Sequence, residues 1–187
     1  RDEKKSNMNK EEIKKMTGDL YFEEWYAVVK DIIEDPEFQK RVYFPQHRHS
    51  NVFEHSVLVS YDAFTISYSW KKVDSRKCAI AGLLHDFSPY LWKKPTENNP
   101  LEESYYKEIK QKKWKEPHST SHGFEAAENY VKFFPELEDK EISDDIRSHM
   151  FPLTRPPRYR SGWLITFCDK RAAFKDFFRF RFKRAFK

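Results

Sequence analysis

Glycine and cysteine are scarce in this chain of 187 residues, at four and two copies, and no apolar run is long. Each shortage excludes something. The longest apolar stretches, such as Trp163 to Cys168, fall well short of the roughly 18–20 residues that a membrane-spanning helix needs. A soluble protein is therefore expected. Cys78 and Cys168 lie far apart and follow no apolar secretory leader, so no disulfide is expected. The expectation is reduced thiols in a cytoplasmic protein. Period-two apolar alternation is scarce too, whereas Phe, Tyr, Lys and Glu are abundant. That composition predicts amphipathic helices and an all-α fold.

Lys and Arg total 35 against 30 Asp and Glu, a formal net charge of +5. The excess is modest and spread along the chain, so it suits an anionic ligand without demanding nucleic acid. The length fits one catalytic domain with a single core. There is no internal repeat and no low-complexity linker. The expected organisation is a mobile N-terminal segment over residues 1–15 and a single helical domain over 16–187. Within that domain, a polar, lysine-rich flap is expected over about 88–118 and a basic, aromatic tail over about 174–187.

Apolar residues at helical spacing, Leu20, Tyr21, Trp25, Val28, Val29 and Ile32, predict a packing helix between Met16 and Ile33, ended by Asp35-Pro36. Asn51 is a cap for a helix to about Trp70, with His55 in its first turns. Val52, His55, Val59 and Asp62 share one face of it. Asp74 caps a helix carrying Cys78, Ala81, Leu84 and His85, and Pro89 stops it, so His85-Asp86 lies at a helix C-terminus. Ser119, Thr120 or Ser121 caps a segment with His122 in its first turn. Ile142, Ile146 and His149 form one stripe of a helix from Glu138. Ser161 begins the last helix, which carries Trp163, Ile165, Phe167 and Asp169.

Six side chains suited to metals therefore occur in one order: His55, His85, Asp86, His122, His149 and Asp169. One histidine on an apolar helix face is more often a hydrogen-bonded core residue than a ligand; six in sequence argue otherwise. Imidazole and carboxylate without thiolate suit divalent first-row metals. A single ion needs only three or four protein ligands. Two ions about 3.5–4 Å apart need more, with a carboxylate able to bridge them. Asp86, beside His85, is the natural bridge. Such a pair activates water near neutral pH and holds phosphoryl oxygens for in-line attack, which predicts metal-assisted phosphoester hydrolysis.

The segment Ala81 to Phe87, AGLLHDF, with FEHS upstream at Phe53 to Ser56 and Asp169-Lys170 downstream, resembles the HD-domain metal-dependent phosphohydrolases. The likeness runs from about Val52 to Lys175. His122, followed by Gly123, and His149 stand where the binuclear branch carries its second-metal histidines. The resemblance implies a first ion on His55, His85, Asp86 and Asp169, and a second on Asp86, His122 and His149. It implies iron or manganese, with zinc, cobalt, nickel or magnesium acceptable to the same ligands, and a nucleotide or other phosphoester as substrate. Many binuclear members continue His-Asp with Ile-Gly-Lys, whose lysine faces phosphate; here the continuation is Phe87-Ser88-Pro89. Lys170, Lys93 and Lys94 are the candidate replacements. The missing lysine motivates an alternative, a metal- and nucleotide-binding regulatory module with weak turnover. A third reading, a di-iron oxygenase, also exists in the superfamily, and no residue here favours it.

Around these six, Arg147, Arg155, Arg158 and Arg160 flank His149 and are candidates for bidentate phosphate contacts. His118, one helical turn before His122, is a candidate proton donor to a leaving oxygen. His47 and His49 match nothing in the motif and are expected at the surface. The tail interleaves Phe177, Phe178, Phe180, Phe182 and Phe186 with Arg179, Arg181, Lys183 and Arg184. Its favoured role is closing the core of its own domain. A membrane surface, nucleic acid or a second subunit of a homodimer are the other docking partners that composition offers.

Overall fold

The computed structural model describes residues 7–46, 50–91 and 118–185, with side chains left out of the description at 118–120 and beyond 175. Eight α-helices make up the described fold: α1 Lys10–Thr17, α2 Phe22–Ile33, α3 Pro36–Gln39, α4 Val52–Trp70, α5 Ser75–Leu84, α6 His118–Phe133, α7 Lys140–Ser148 and α8 Arg160–Ala185. Two 3-10 turns, Lys40–Tyr43 and Pro135–Leu137, join them. No strand occurs among the described residues; a lone bridge links Pro45 and Asn51. The all-α expectation is met, and the chain is helical because its caps and apolar spacing are.

Local chemistry sets most of the starts. Asn51 accepts from the Glu54 N–H at 2.8 Å, Asp74 from the amides of Arg76 and Lys77, and Asp139 from those of Glu141 and Ile142. Two expectations shift. Residues 10–15, assigned to a mobile segment, belong to α1, where Asn9 and Glu12 form a capping box and Ile13 is buried in the core. The helix expected from Met16 starts instead at Phe22, after Gly18 at φ 111° ends α1. Helix α6 also begins earlier, at His118, so His122 lies beyond its first turn.

Helix α4 is the centre of the molecule. Val52, Phe53, His55, Val57, Val59, Ser60, Ala63, Phe64 and Ser67 are all buried, so the buried surface is much wider than the single face expected, and a stripe through Glu54, Leu58, Asp62 and Thr65 stays partly exposed. The reason is its neighbours: α1, α2, α5 and α8 all pack on it. A short link, residues 71–74, turns the chain back from α4 into α5. Gly82 lets the two backbones touch, since a Cβ there would lie 2.8 Å from Ser60 Cα. Ser60 Oγ donates to Ala79 O at 2.7 Å and accepts from the buried Trp25 indole at 3.0 Å, tying α2, α4 and α5 together. This hairpin brings His55, near the start of α4, level with His85, just past the end of α5. Their ring centroids are 5.2 Å apart.

Helix α8 buries Leu164, Ile165, Cys168 and Ala172 and leaves Trp163, Phe167 and Phe174 exposed. Phe174, the first residue of the expected core-closing tail, thus faces solvent at 64% exposure. The later tail side chains, and most of the expected flap, lie outside the description. Both thiols are buried, and burial pushes each up to about 12, so neither is a reactive cysteine. No helix of the described residues is long and apolar enough to cross a membrane.

Candidate metal centre

Two helix ends aim the site. At the C-terminus of α5, His85 Nδ1 donates to Gly82 O at 2.8 Å; at the C-terminus of α7, His149 Nδ1 donates to Ile146 O at 2.7 Å. A carbonyl can only accept, so each Nδ1 carries a proton and each ring turns its Nε2 toward the site. The last carbonyls of a helix lack intrahelical partners, and here they serve as ring holders. Both C-termini also place negative dipole ends at the same spot, which favours cations.

The six expected residues meet there. His55 Nε2 lies 3.0 Å from Asp169 Oδ1, and His85 Nε2 lies 3.7 Å from the same oxygen. Asp86 faces both ways. Its Oδ2 is 3.3 Å from His85 Nε2 and 3.9 Å from His55 Nε2, while its Oδ1 is 3.4 Å from His122 Nε2 and 3.6 Å from His149 Nε2. His122 and His149 stand Nε2 to Nε2 at 3.1 Å. Potential ligand atoms fall into two overlapping groups, His55–His85–Asp169 and His85–Asp86–His149, each with all members within 4.8 Å of one another. Gly123 permits the approach of α6, because a Cβ there would crowd Ile146 O and the His149 ring.

The electrostatics call for a cation. His85 Nε2 is fully buried with no hydrogen bond, yet it points its lone pair at two carboxylates. A proton or a divalent ion relieves that opposition. Burial by itself would lower the His85 pKa, but Asp86 and Asp169 carry it well above the usual histidine value. Burial would raise both acids; the surrounding imidazoles instead hold Asp86 and Asp169 well below the usual carboxylate range. His149 goes the other way, to about 4, through burial and the neighbouring His85 charge. The donor set is nitrogen and oxygen throughout, and an orphaned buried nitrogen faces carboxylates, so these residues fit a divalent metal.

The outer candidates separate. Lys170 is exposed, and its Nζ reaches His149 O at 3.4 Å, at the edge of the centre. Arg147, Arg158 and Arg160 are exposed. Arg155 is not available as a phosphate grip: its guanidinium is spent on an ion pair with Asp144, which also accepts the Arg158 backbone N–H. Lys93, Lys94, His47 and His49 lie outside the described residues, as does the His118 side chain. Pro89, in the position of the missing lysine, is buried, and Phe87, directly after the pair, is buried against Phe38, Phe133 and Phe134.

One contact had no signal in the sequence. Gln46 Nε2 donates to Asp86 Oδ2 at 2.6 Å across 40 residues, and a lone glutamine before a histidine has no spacing to betray it.

The family model described as HD domain matches residues 52–173, the stretch that holds all six converging side chains. No curated protein and no solved structure gives a match. Because the matched stretch is well over half of the chain and contains the His-Asp centre, the protein belongs to the HD domain family, within the superfamily of metal-dependent hydrolases.

Proposed function

We propose that the protein is a phosphohydrolase that uses two divalent ions to cleave a phosphoester or phosphoanhydride of a nucleotide-type substrate. The observation that carries this reading is the division of Asp86, with Oδ2 toward His55 and His85 and Oδ1 toward His122 and His149. A centre for a single ion gains nothing from that division. In this reading His55, His85, Asp169 and Asp86 hold one ion, and Asp86, His122 and His149 hold the other. The N/O donor set suits iron or manganese.

When bound, the ions supply Lewis acidity toward a phosphoryl oxygen and lower the pKa of water. The chain supplies placement and surroundings. His85 and His149 are held by helix-end carbonyls and lose no rotational freedom at the moment of reaction. Their burial excludes bulk water and strengthens every charge interaction nearby. Lys170, on the rim, meets phosphoryl charge as substrate enters, and the exposed Arg147 and Arg158 add attraction for a polyanion.

The test is turnover. Protein stripped with chelator and reloaded with manganese or iron is offered nucleoside monophosphates, dinucleoside polyphosphates and cyclic dinucleotides. Phosphoester cleavage that disappears with chelator and returns with metal supports the proposal. Two bound ions and no turnover of any compound overturns it.

Buried Pro89, where the lysine would stand, favours a second reading, a regulatory module that binds metal and nucleotide with little turnover, since no cation closely follows the His-Asp pair. A nucleotide that stays intact on the metal-loaded protein distinguishes that version.

A further inference from the structure

The start of α4 and the end of α5 are joined by more than their hairpin. Before α4, two backbone bonds anchor the chain: the Val52 N–H donates to Phe44 O at 2.8 Å, and the Gln46 N–H donates to Ser50 O at 3.1 Å. Asn51 caps α4, so Phe44 and Ser50 are tied by these bonds to the start of the helix bearing His55. From this base the Gln46 amide reaches Asp86 Oδ2. Arg41 clamps the pair from behind. Its guanidinium is fully buried between the rings of Phe44 and Phe87, at 4.5 and 4.7 Å. Phe44 stands two residues before Gln46, and Phe87 directly follows Asp86.

An aspartate χ2 is a soft torsion, and the division of Asp86 between its two imidazole pairs depends on that torsion. Among the described residues, Gln46 is the one side chain other than imidazole that bonds Asp86. Holding Oδ2 fixes the carboxylate plane and therefore aims Oδ1. A carboxylate oxygen has two lone pairs, so the amide can keep its bond while the other pair faces a cation.

We infer that Gln46 is a positioning residue that sets the rotation of Asp86 and thereby builds the second metal position. The inference rests on the two-ion reading above. It carries an asymmetry. Asp86 is one of four protein groups around the first position but one of three around the second. A carboxylate free to rotate therefore costs the second ion more than the first.

Calorimetric titration of chelator-treated protein with manganese tests it, with Gln46→Met as the main variant. Methionine keeps the length and the backbone N–H to Ser50 but removes the donor. Gln46→Asn keeps the amide but shortens its reach. In both variants the second equivalent of manganese is expected to bind about 10–100-fold more weakly, with a smaller change in the first. Circular dichroism melts of the metal-free variants are expected to match the parent. Equal weakening of both equivalents, or parental affinity in both variants, overturns the role of Gln46. Fewer than two ions on the parent protein overturns the two-ion reading instead, and this inference with it.

Discussion

His122 and His149, 27 residues apart in the chain, meet nitrogen to nitrogen at 3.1 Å. The proton of His149 is already committed to Ile146 O through Nδ1, so its Nε2 offers only a lone pair. Either His122 donates a proton across the gap or a cation takes both nitrogens. Removing either ring should therefore cost one ion and leave the other. His149→Ala is expected to retain one manganese per chain by elemental analysis and Asp86→Ala none. Equal loss in both would remove the bridging role from Asp86.

Metal should also stabilise the fold, because the folded chain gathers ligands that the unfolded chain scatters. At a free ion concentration 100 times the dissociation constant, the gain is about 2.7 kcal/mol, or roughly 5–10 °C in melting temperature for a chain of this size. A thermal melt with and without manganese reads this directly. An unchanged melting temperature at saturating metal would argue against binding by the native site.

Gly82→Ala should be costly twice over. The added Cβ would lie 2.8 Å from Ser60 Cα, a clash with backbone that no rotamer relieves. Pushing α5 from α4 is expected to cost about 1–3 kcal/mol and to separate His85 from His55. Chemical denaturation should show the first effect and manganese affinity the second, while Gly18→Ala, at the end of α1, should leave metal affinity alone.

Asp145 is fully buried with both carboxylate oxygens unpartnered. Burial first, then the charges of Glu141, Asp144 and Asp139, push it up to about 7 against a lowering contribution from the Ser161 hydroxyl, whose own bond goes to Glu141. Between the usual aspartate value and about 7, the folded chain keeps a proton that the unfolded chain has released. This group therefore makes stability fall as pH rises through that window, by up to about 1.4 kcal/mol per pH unit. Below the window the contribution is fully present, and above about 7 its slope vanishes. Asp145→Asn should thus gain on the parent from pH 4 to 7 and hold a constant lead above that. Denaturation of both proteins across pH 4–8 checks the sign. A lead independent of pH would mean that Asp145 is ionised in the folded protein.

Lys170→Ala should raise KM for a phosphoester substrate about tenfold and change kcat less, as expected for a rim contact made in the ground state. Arg155→Ala should instead show its effect in stability, since Arg155 is bound to Asp144. A large KM effect from Arg155 would reverse these assignments.

Much of this protein is legible in its sequence because the signals are local. Asn51, Asp74 and Asp139 announce helix starts through bonds to amides two or three residues ahead, and His85 and His149 sit at helix ends that those starts and the following prolines bracket. Residue type and order named all six converging side chains. What spacing of three and four residues does not carry is contact across the chain. How wide a surface α4 buries depends on how many helices pack against it, and Ile13 joined the core from a segment with too few apolar residues to predict it.

The sequence by itself determined which groups could bind metal and on which helices they ride, since both follow from composition and short-range hydrogen bonding. Only tertiary packing decided that Asp86 divides its oxygens between two imidazole pairs, that Gln46 holds it there, that Asp144 claims Arg155, and that Asp145 is left buried without a partner. Those outcomes turn on side-chain rotation and on helices brought together from distant parts of the chain. Local sequence constrains neither.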